Sequence, residues 1–330
     1  MITLIANRLA QTLVTLLIVT VLTFALLAAA GGDALNTLSE DPLASEATLQ
    51  QMRRLYGLDQ PLPVRYWRWL RSTARGDLGE SFFYHAPVSG LLFTRLLNTA
   101  MLAGLALLIA WAVALPLGLV AARRKSSWAD RSCEAVIVLS SSTPRIVLSL
   151  VVLALASNLS LLTFQGTSAP SGGANAASAG FSFPQLLLPA LVLAVPLVAL
   201  FMAQVREGVR QALRQDFILV ARAKGLGERD ILIRHALRAA LNPLITIFGY
   251  SLGGVMSGSV IVETILGWPG LGSLIVVAVR SRDVPLLLGI VVVTATAVFM
   301  GNLLADILLH INDPRMRQGQ VGTGQRRAAK

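Results

Sequence analysis

Few ionisable side chains lie within or beside the long apolar stretches of this chain. Arg145 interrupts the apolar stretch Ala135–Leu162, and three carboxylates, Glu134, Glu263 and Asp306, fall at the ends of such stretches. An ion-coupled carrier needs carboxylates buried in the membrane to bind its driving ion. At the span ends these carboxylates are predicted to be interfacial, satisfied by water or Arg. An ion-coupled secondary transporter is therefore the alternative and not the first hypothesis.

No catalytic, cofactor or metal site is predicted. The single cysteine, Cys133, excludes an intrachain disulfide and a cysteine-rich metal site, and the three histidines lie far apart in sequence. None of the three lysines belongs to a G-x-x-x-x-G-K-[ST] phosphate loop. The chain is thus predicted not to be an enzyme, and the energy for any transport is expected to come from outside the membrane.

Composition indicates a membrane protein. Of 330 residues, 55% are hydrophobic and 14% are charged, whereas soluble domains carry about 25% charged residues. The mean hydropathy is +0.68. A net charge of +11 in a soluble chain would indicate nucleic-acid binding. Here the basic residues lie in loops between apolar stretches, where they set orientation, so no nucleic-acid partner is expected.

Six stretches have the length of about 20 apolar residues that a membrane-spanning helix needs. They are Leu9–Ala30, Leu96–Ala122, a span within Ala135–Leu162, Phe183–Val205, Ala239–Val262 and Val284–Ala305. The predicted organisation is a first span with a long extracytoplasmic loop (1–97), a five-span core (98–310) and a disordered tail (311–330). We call residues 206–238, between the fourth and fifth spans, the basic segment.

Loop charges predict that both termini are cytoplasmic. Eighteen of the 28 Lys and Arg lie before the first span, around 123–131, in the basic segment and in the tail, all on one side. The first outer loop carries seven, but it exceeds 60 residues, and long loops escape the positive-inside rule. Ala28-Ala29-Ala30 resembles the cleavage site of a signal peptide, but the first apolar run is longer than the apolar region of a signal peptide. Cleavage there would leave the other five spans oriented as before.

Two interpretations of Arg145 are open. A helix that begins near Ala135 would bring Arg145 about 15 Å into the membrane, where an Arg lines a pathway or pairs with an acid. A span that begins after Pro144 would leave Arg145 at the cytoplasmic interface.

The glycines of the fifth span are similarly ambiguous. Gly249, Gly253, Gly254 and Gly258 permit close helix packing or line a substrate path. Pro189 and Pro196 indicate kinks in the fourth span.

The basic segment is predicted to hold a short helix. Gly225 and Gly227 would interrupt the helix and give a bend, and Asp230 and Arg234 are spaced to pair at i,i+4 on the helix that follows. A partner that binds a short helix between two spans can move both spans as one body. The alternative is a solvated basic loop that only sets orientation.

The outer loops carry weaker signals. Leu49–Leu70 is rich in Trp, Tyr and Leu and is predicted to be an amphipathic element at the outer membrane surface. Gly166–Gly180, rich in Ser, Ala and Gly, is predicted to be flexible.

Several segments resemble one known family. Arg222-Ala-Lys-Gly-Leu226, followed by Arg234-His-Ala-Leu-Arg238 and Pro243, resembles the cytoplasmic loop of peptide-type ATP-binding-cassette importer permeases. The outer-loop motifs Leu55–Pro63, Gly76–Ser81 and Val262–Gly272 and the end motif Asp313-Pro-Arg315 are similar to the same family in the same order. The chain resembles the dipeptide/oligopeptide permeases, in the first-permease (B-type) subgroup.

This resemblance implies an all-α, six-helix type I importer fold in the cytoplasmic (inner) membrane. It implies a second permease subunit, two cytosolic ATPases that hold the ATP and Mg²⁺, and an extracytoplasmic substrate-binding protein. A helix near Phe217–Glu228 would dock on an ATPase. The implied coupling residues are Phe217, Ala221, Arg222, Ala223, Lys224, Gly225, Leu226, Gly227 and Glu228.

The chain departs from the family pattern at four places. Leu219 and Arg238 replace the Glu and Pro of the general importer loop, and Gly31-Gly-Asp-Ala34 lacks the prolines of Pro-Gly-Asp-Pro. Arg145 follows Ser-Thr-Pro where relatives continue with apolar residues. Together with Gly253 and Gly254, Arg145 is the candidate for the substrate pathway. The solute itself, whether dipeptide, oligopeptide, nickel complex or glutathione, is not specified by the sequence.

Overall fold

The computed structural model describes residues 2–29, 59–123, 127–158 and 183–312. They fall into two compact units. One comprises the described residues within 2–101, 183–185 and 259–299, and the other comprises those within 102–158, 186–258 and 300–312. The elements in chain order are α1 (Ile2–Ala29), α2 (Leu62–Thr73), β1 (Glu80–Ser81), β2 (Ala86–Pro87), α3 (Val88–Arg123), α4 (Trp128–Ser142), α5 (Arg145–Asn158), α6 (Phe183–Leu213), α7 (Asp216–Ala223), α8 (Glu228–Leu266), α9 (Leu271–Arg280) and α10 (Val284–Asn312).

Five of the six predicted spans are confirmed as single apolar helices long enough to cross a membrane: α1, α3, α6, α8 and α10. The helix α6 continues through Pro189 and Pro196. The helix α8 changes form along its length, because Ile231–Ala236 is a π-helix between the single turn Glu228–Asp230 and the α-helix Leu237–Leu266.

The third predicted span is not one straight helix. It divides into α4 and α5, whose axes differ by 96°. The break follows from Pro144, because proline disfavours helical backbone at the residue before it, and Thr143 accordingly has an extended conformation (φ −90°, ψ 115°). Arg145 is the first residue of α5 and not a mid-helix residue.

One glycine of α8 in the second unit, Gly249, packs closely against α10. A Cβ at Gly249 would overlap the side chain of Ala305 in α10. Close packing is therefore the correct interpretation for Gly249, as expected for small residues between membrane helices.

The described part of the first outer loop is held to the start of α10 by a buried carboxylate. Strands β1 and β2 pair antiparallel, with Ser81 opposite Ala86. Asp283 is fully buried and accepts hydrogen bonds from the Ser81 hydroxyl (2.6 Å) and the Phe83 backbone N–H (3.1 Å). Its other oxygen caps α10 by accepting from the Leu286 N–H at 3.1 Å.

The helix α2 contacts α1 through one aromatic residue. The Tyr66 hydroxyl lies 3.0 Å from the Thr20 hydroxyl, and the Tyr66 ring packs edge-on against Phe24 with 5.6 Å between centroids. Trp67 is 66% exposed. The predicted amphipathic element is thus helical from Leu62 to Thr73, and its beginning lies outside the described residues. The predictions for Gly31–Ala34, Gly166–Gly180 and the tail from Asp313 also lie outside them.

Candidate functional site

A tight turn at Gly225 ends the short helix α7 of the basic segment. The backbone N–H of Gly225 donates to the Arg222 carbonyl (2.9 Å), and the N–H of Leu226 donates to the Ala221 carbonyl (3.3 Å). This pair of bonds is the Schellman motif, which needs a left-handed residue after the helix. Gly225 supplies that conformation with φ +77°, so the predicted bend at Gly225 is confirmed. The helix ends at Ala223, earlier than the predicted Glu228, because this cap stops it.

One face of α7 is anchored in an apolar core. Ile218 is fully buried and Ala221 is 6% exposed. Burial of an isoleucine side chain contributes about 1.5–3 kcal/mol. Their cluster in the second unit contains Ala122, Val205, Val209, Ala212, Ile231, Leu232, Ala236, Ala240 and Leu244. The helix is therefore fixed to α3, α6 and α8 rather than free in solvent.

The opposite face of α7 presents apolar side chains outward. Phe217, Leu219 and Val220 are 45%, 62% and 54% exposed, and Leu226 beyond the turn is 41% exposed. These residues lie outside the apolar membrane stretches that the sequence predicts. A cluster of exposed apolar side chains on a structured polar segment is typical of a protein-binding surface. We call these four residues the exposed face of α7.

An ion pair closes the Gly225 turn. Arg222 donates from Nε to Glu228 Oε1 at 2.8 Å and from Nη2 to Oε2 at 3.2 Å. The hydrogen bond to Glu228 raises the pKa of Arg222 above its usual value. Lys224 and Gly227 are also exposed in this turn. The pair links the end of α7 to the start of α8, and it displays charge beside the exposed face.

The helix that follows begins as predicted but contains an unpredicted π-segment. Gly227 is its N-cap, and Arg234 Nε lies 3.6 Å from Asp230 Oδ1, which confirms the expected i,i+4 pair. The π-helix over Ile231–Ala236 was missed, because a sequence pattern does not distinguish a π-turn from an α-turn.

A second missed feature is a buried ion cluster at the start of the basic segment. Asp130 is 6% exposed and accepts from Arg206 Nη1 (3.1 Å) and from Arg210 Nη2 (2.6 Å). Arg210 also donates to the Ala121 carbonyl at 2.9 Å. Glu134, one of the three predicted interfacial carboxylates, lies 3.8 Å from Arg206 and has a 65% exposed side chain. Arg206 and Arg210 thus belong to the last turns of α6, where they bind α3 and α4.

A cavity of about 720 Å³ opens beside this cluster. Arg123, Arg222, Glu228 and Arg229 line it together with apolar residues of α3, α6 and α8. The cations outnumber the single carboxylate, so the electrostatic character of the cavity is basic.

Glu263 differs from the interfacial residue that the sequence predicted. It is fully buried and accepts from the Thr99 hydroxyl (2.9 Å) and from the N–H groups of Gly272 (2.6 Å) and Ser273 (3.2 Å). The last two are free N–H groups at the start of α9, so the carboxylate caps that helix. A Cβ at Gly270 would overlap both Glu263 and Thr99, which explains the glycine. The prediction of water or Arg as partner was wrong, because hydroxyl and backbone donors fold around the carboxylate.

Arg145 fits neither predicted position in full. The helix α5 does begin after Pro144, yet the Arg145 side chain extends to the middle of α8. Its Nη1 donates to the Gly254 carbonyl at 3.4 Å, and a Cβ at Gly258 would overlap its guanidinium. The structure thus brings two of the three predicted pathway residues, Arg145 and Gly254, together.

Within the part of the chain that the structure describes, no group of three or more His, Cys, Asp or Glu side chains could hold a metal ion. The long apolar helices, with a short helix between two of them, define the class: a multi-pass membrane protein. Comparison with known proteins makes this specific. The model of the binding-protein-dependent transport system inner membrane component matches residues 114–318, and the N-terminal model of the same type of component matches residues 1–103.

Individual relatives agree with the family models. A putative peptide permease protein of Brucella ovis is 34% identical over 308 residues, which cover 92% of this chain and 95% of the relative. The oligopeptide transport system permease protein AppB of Bacillus subtilis is 37% identical over 307 residues, 91% of this chain and 95% of the relative. A probable peptide ABC transporter permease protein of Sinorhizobium fredii is 30% identical over 315 residues.

The chain belongs to the family of binding-protein-dependent transport system inner membrane components. It is accordingly a multi-pass inner membrane permease subunit and not an enzyme, since in this family ATPase activity is carried by separate subunits.

Proposed function

We propose that this chain is a permease subunit of an ATP-driven importer that carries peptides or a similar small solute. It pairs with a second permease subunit, receives solute from an extracytoplasmic binding protein and is driven by two cytosolic ATPases. The names of the relatives support a peptide solute. The positive-inside distribution supports cytoplasmic termini and a cytoplasmic basic segment.

The observation that carries the proposal is the two-faced helix α7. Its buried face, Ile218 and Ala221, joins it to the spans, whereas its exposed face offers Leu219 and Val220 to a partner. A partner that binds the exposed face transmits its motion through the buried face into α6 and α8, because packed cores move as bodies. We assign the coupling role to Phe217, Ala221, Arg222, Ala223, Lys224, Gly225, Leu226, Gly227 and Glu228.

Cysteine crosslinking in the assembled, transport-active complex tests this docking. Cys133 is buried and is replaced by Ala to give a background without reactive thiols. We expect Leu219→Cys to crosslink to a cysteine-bearing ATPase subunit and to change its yield when ATP is added. Glu80→Cys, exposed in β1 on the predicted outer side, is the matched control and should give no such crosslink.

The outcomes separate the alternatives. A transport-active complex in which Leu219→Cys gives no ATPase crosslink would contradict docking and favour a basic segment that only sets orientation. Crosslinking from Glu80→Cys and not from Leu219→Cys would show that the assigned orientation is inverted.

A further inference from the structure

Arg145 lies at an unusual depth for a charged side chain. Its guanidinium contacts the Gly254 carbonyl of α8, and Gly254 follows Arg238 of the basic segment by 16 residues on one continuous helix. At 1.5 Å per residue this is about 24 Å along the helix, within an apolar core that is about 30 Å thick. The cation therefore sits beyond the middle of the span, far from the basic segment.

No acid neutralises this cation among the described residues. Arg206 and Arg210 share Asp130, and Arg222 and Arg234 have Glu228 and Asp230, but the ion pairs of the described chain do not include Arg145. Within the described residues its guanidinium donates to the Gly254 carbonyl at 3.4 Å, which uses one of five N–H donors. A charged residue within a span is costly and marks a pathway or ligand when no internal partner is present.

The chain makes room for this guanidinium. Gly258 lies against it, and any side chain at 258 would displace it. The guanidinium thus occupies the space that the absence of a side chain at Gly258 leaves beside α8. Most of its N–H donors are left for another acceptor.

The neighbouring face of α8 carries polar side chains. Thr246, Tyr250 and Ser257 are exposed at spacings of four and seven residues, so they share one face, and Tyr250 is 78% exposed. Polar side chains on spanning helices commonly contact a neighbouring helix or line a water-filled route. Gly254 lies four residues after Tyr250 and therefore beside this face, so the guanidinium that contacts its carbonyl borders the face.

We propose that Arg145 binds the carboxylate of the transported solute as it passes along α8. The guanidinium matches a carboxylate in charge and in geometry, because its parallel N–H groups bind both oxygens at once. This proposal rests on the proposed function and deepens it: the solute class is a peptide with a free carboxylate. Gly253 and Gly254 leave the path beside the cation unobstructed by side chains.

Uptake of tri-alanine and its C-terminal amide by the complete complex in proteoliposomes tests the proposal. For each variant we compare uptake with wild type on each peptide, so that preferences of the binding protein cancel. Arg145→Gln should lower tri-alanine uptake about tenfold, as expected for one lost charge-assisted bond, and leave amide uptake within twofold. Arg145→Lys keeps the cation and should retain most of the difference between the peptides.

Two glycine variants supply a matched control. Gly258→Ala displaces the guanidinium and should lower the preference for the free carboxylate without removing any charge. Gly104→Ala in α3, where a Cβ would meet nothing within 4 Å, should leave both uptake rates unchanged.

Three results would overturn the proposal. Equal losses on both peptides in Arg145→Gln would show that Arg145 only holds α5 against α8. Unchanged uptake of both would show that the solute does not meet it. A wild-type complex that imports another solute but neither peptide would contradict the peptide solute of the proposed function, and the proposal for Arg145 with it.

Discussion

Two turns of this molecule use charge in opposite ways. At the Glu263 turn the carboxylate is fully buried, and hydroxyl and backbone donors surround it. At the Gly225 turn the charges of Arg222 and Glu228 are exposed and bond to each other. The first arrangement stabilises the turn between α8 and α9, because removing the carboxylate would leave buried hydrogen-bond donors unsatisfied. The second leaves the surface free to bind a partner, because exposed pairs contribute little to folding.

The largest loss of stability is expected at the Glu263 turn. Glu263→Ala would leave the Thr99 hydroxyl and the N–H groups of Gly272 and Ser273 without their acceptor, at a cost of about 3–5 kcal/mol. We expect a large fall in the apparent Tm of the purified permease pair. The control, Glu134→Ala, removes a mostly exposed carboxylate and should leave Tm nearly unchanged. Similar Tm values for both variants would show that the buried contacts of Glu263 do not stabilise its turn.

A smaller loss of stability is expected on the buried face of α7 and none on its exposed face. Ile218→Ala creates a cavity in the core and should destabilise the protein by about 2–4 kcal/mol, measured as a lower apparent Tm. Leu219→Ala, on the exposed face, should leave Tm unchanged and weaken ATPase binding in a pull-down with the purified ATPase subunits. Loss of Tm in Leu219→Ala, or normal ATPase binding by it, would contradict the assignment of the faces.

The smallest effect on stability is expected at the Gly225 turn. Gly225→Ala forces a side chain into left-handed backbone at about 1–2 kcal/mol, although a Cβ would meet nothing within 4 Å. We expect normal membrane insertion but a lower ratio of solute imported to ATP hydrolysed. Gly76→Ala imposes the same left-handed strain (φ +85°) with equal space in the first outer loop, outside the basic segment, so it should retain the wild-type ratio. Equal ratios in the two variants would show that the conformation of the turn does not matter for coupling.

The sequence predicted the features that depend on local chemistry. The bend at Gly225 follows from a glycine at the end of a short helix, and the pair of Asp230 and Arg234 follows from helical spacing. Five spans follow from apolar length. The break at Pro144 was underestimated, because the apolar run continues across it although the backbone does not.

Apart from the π-segment, the features that were missed depend on partners distant in sequence. Glu263 is satisfied by Thr99, 164 residues away, and Asp130 is satisfied by Arg206, 76 residues away. No spacing rule connects such residues before the chain has folded. The contact of Arg145 with Gly254 and Gly258 is of the same kind, since the bend before α5 determines where its side chain lies.

The π-segment of α8 determines where the helix can tolerate the deletion of a residue. The N–H of Leu237 bonds to the Leu232 carbonyl five residues back, so this stretch holds one residue more than an α-helix of equal pitch would need. Downstream, buried Ala236, Ala240 and Leu244 keep the ordinary spacing of four. The extra residue is accommodated between Ile231 and Ala236, where a one-residue deletion restores an α-helical turn without rotating the buried stripe. An equivalent deletion within Leu237–Leu266 would rotate every residue beyond it by about 100° relative to the core.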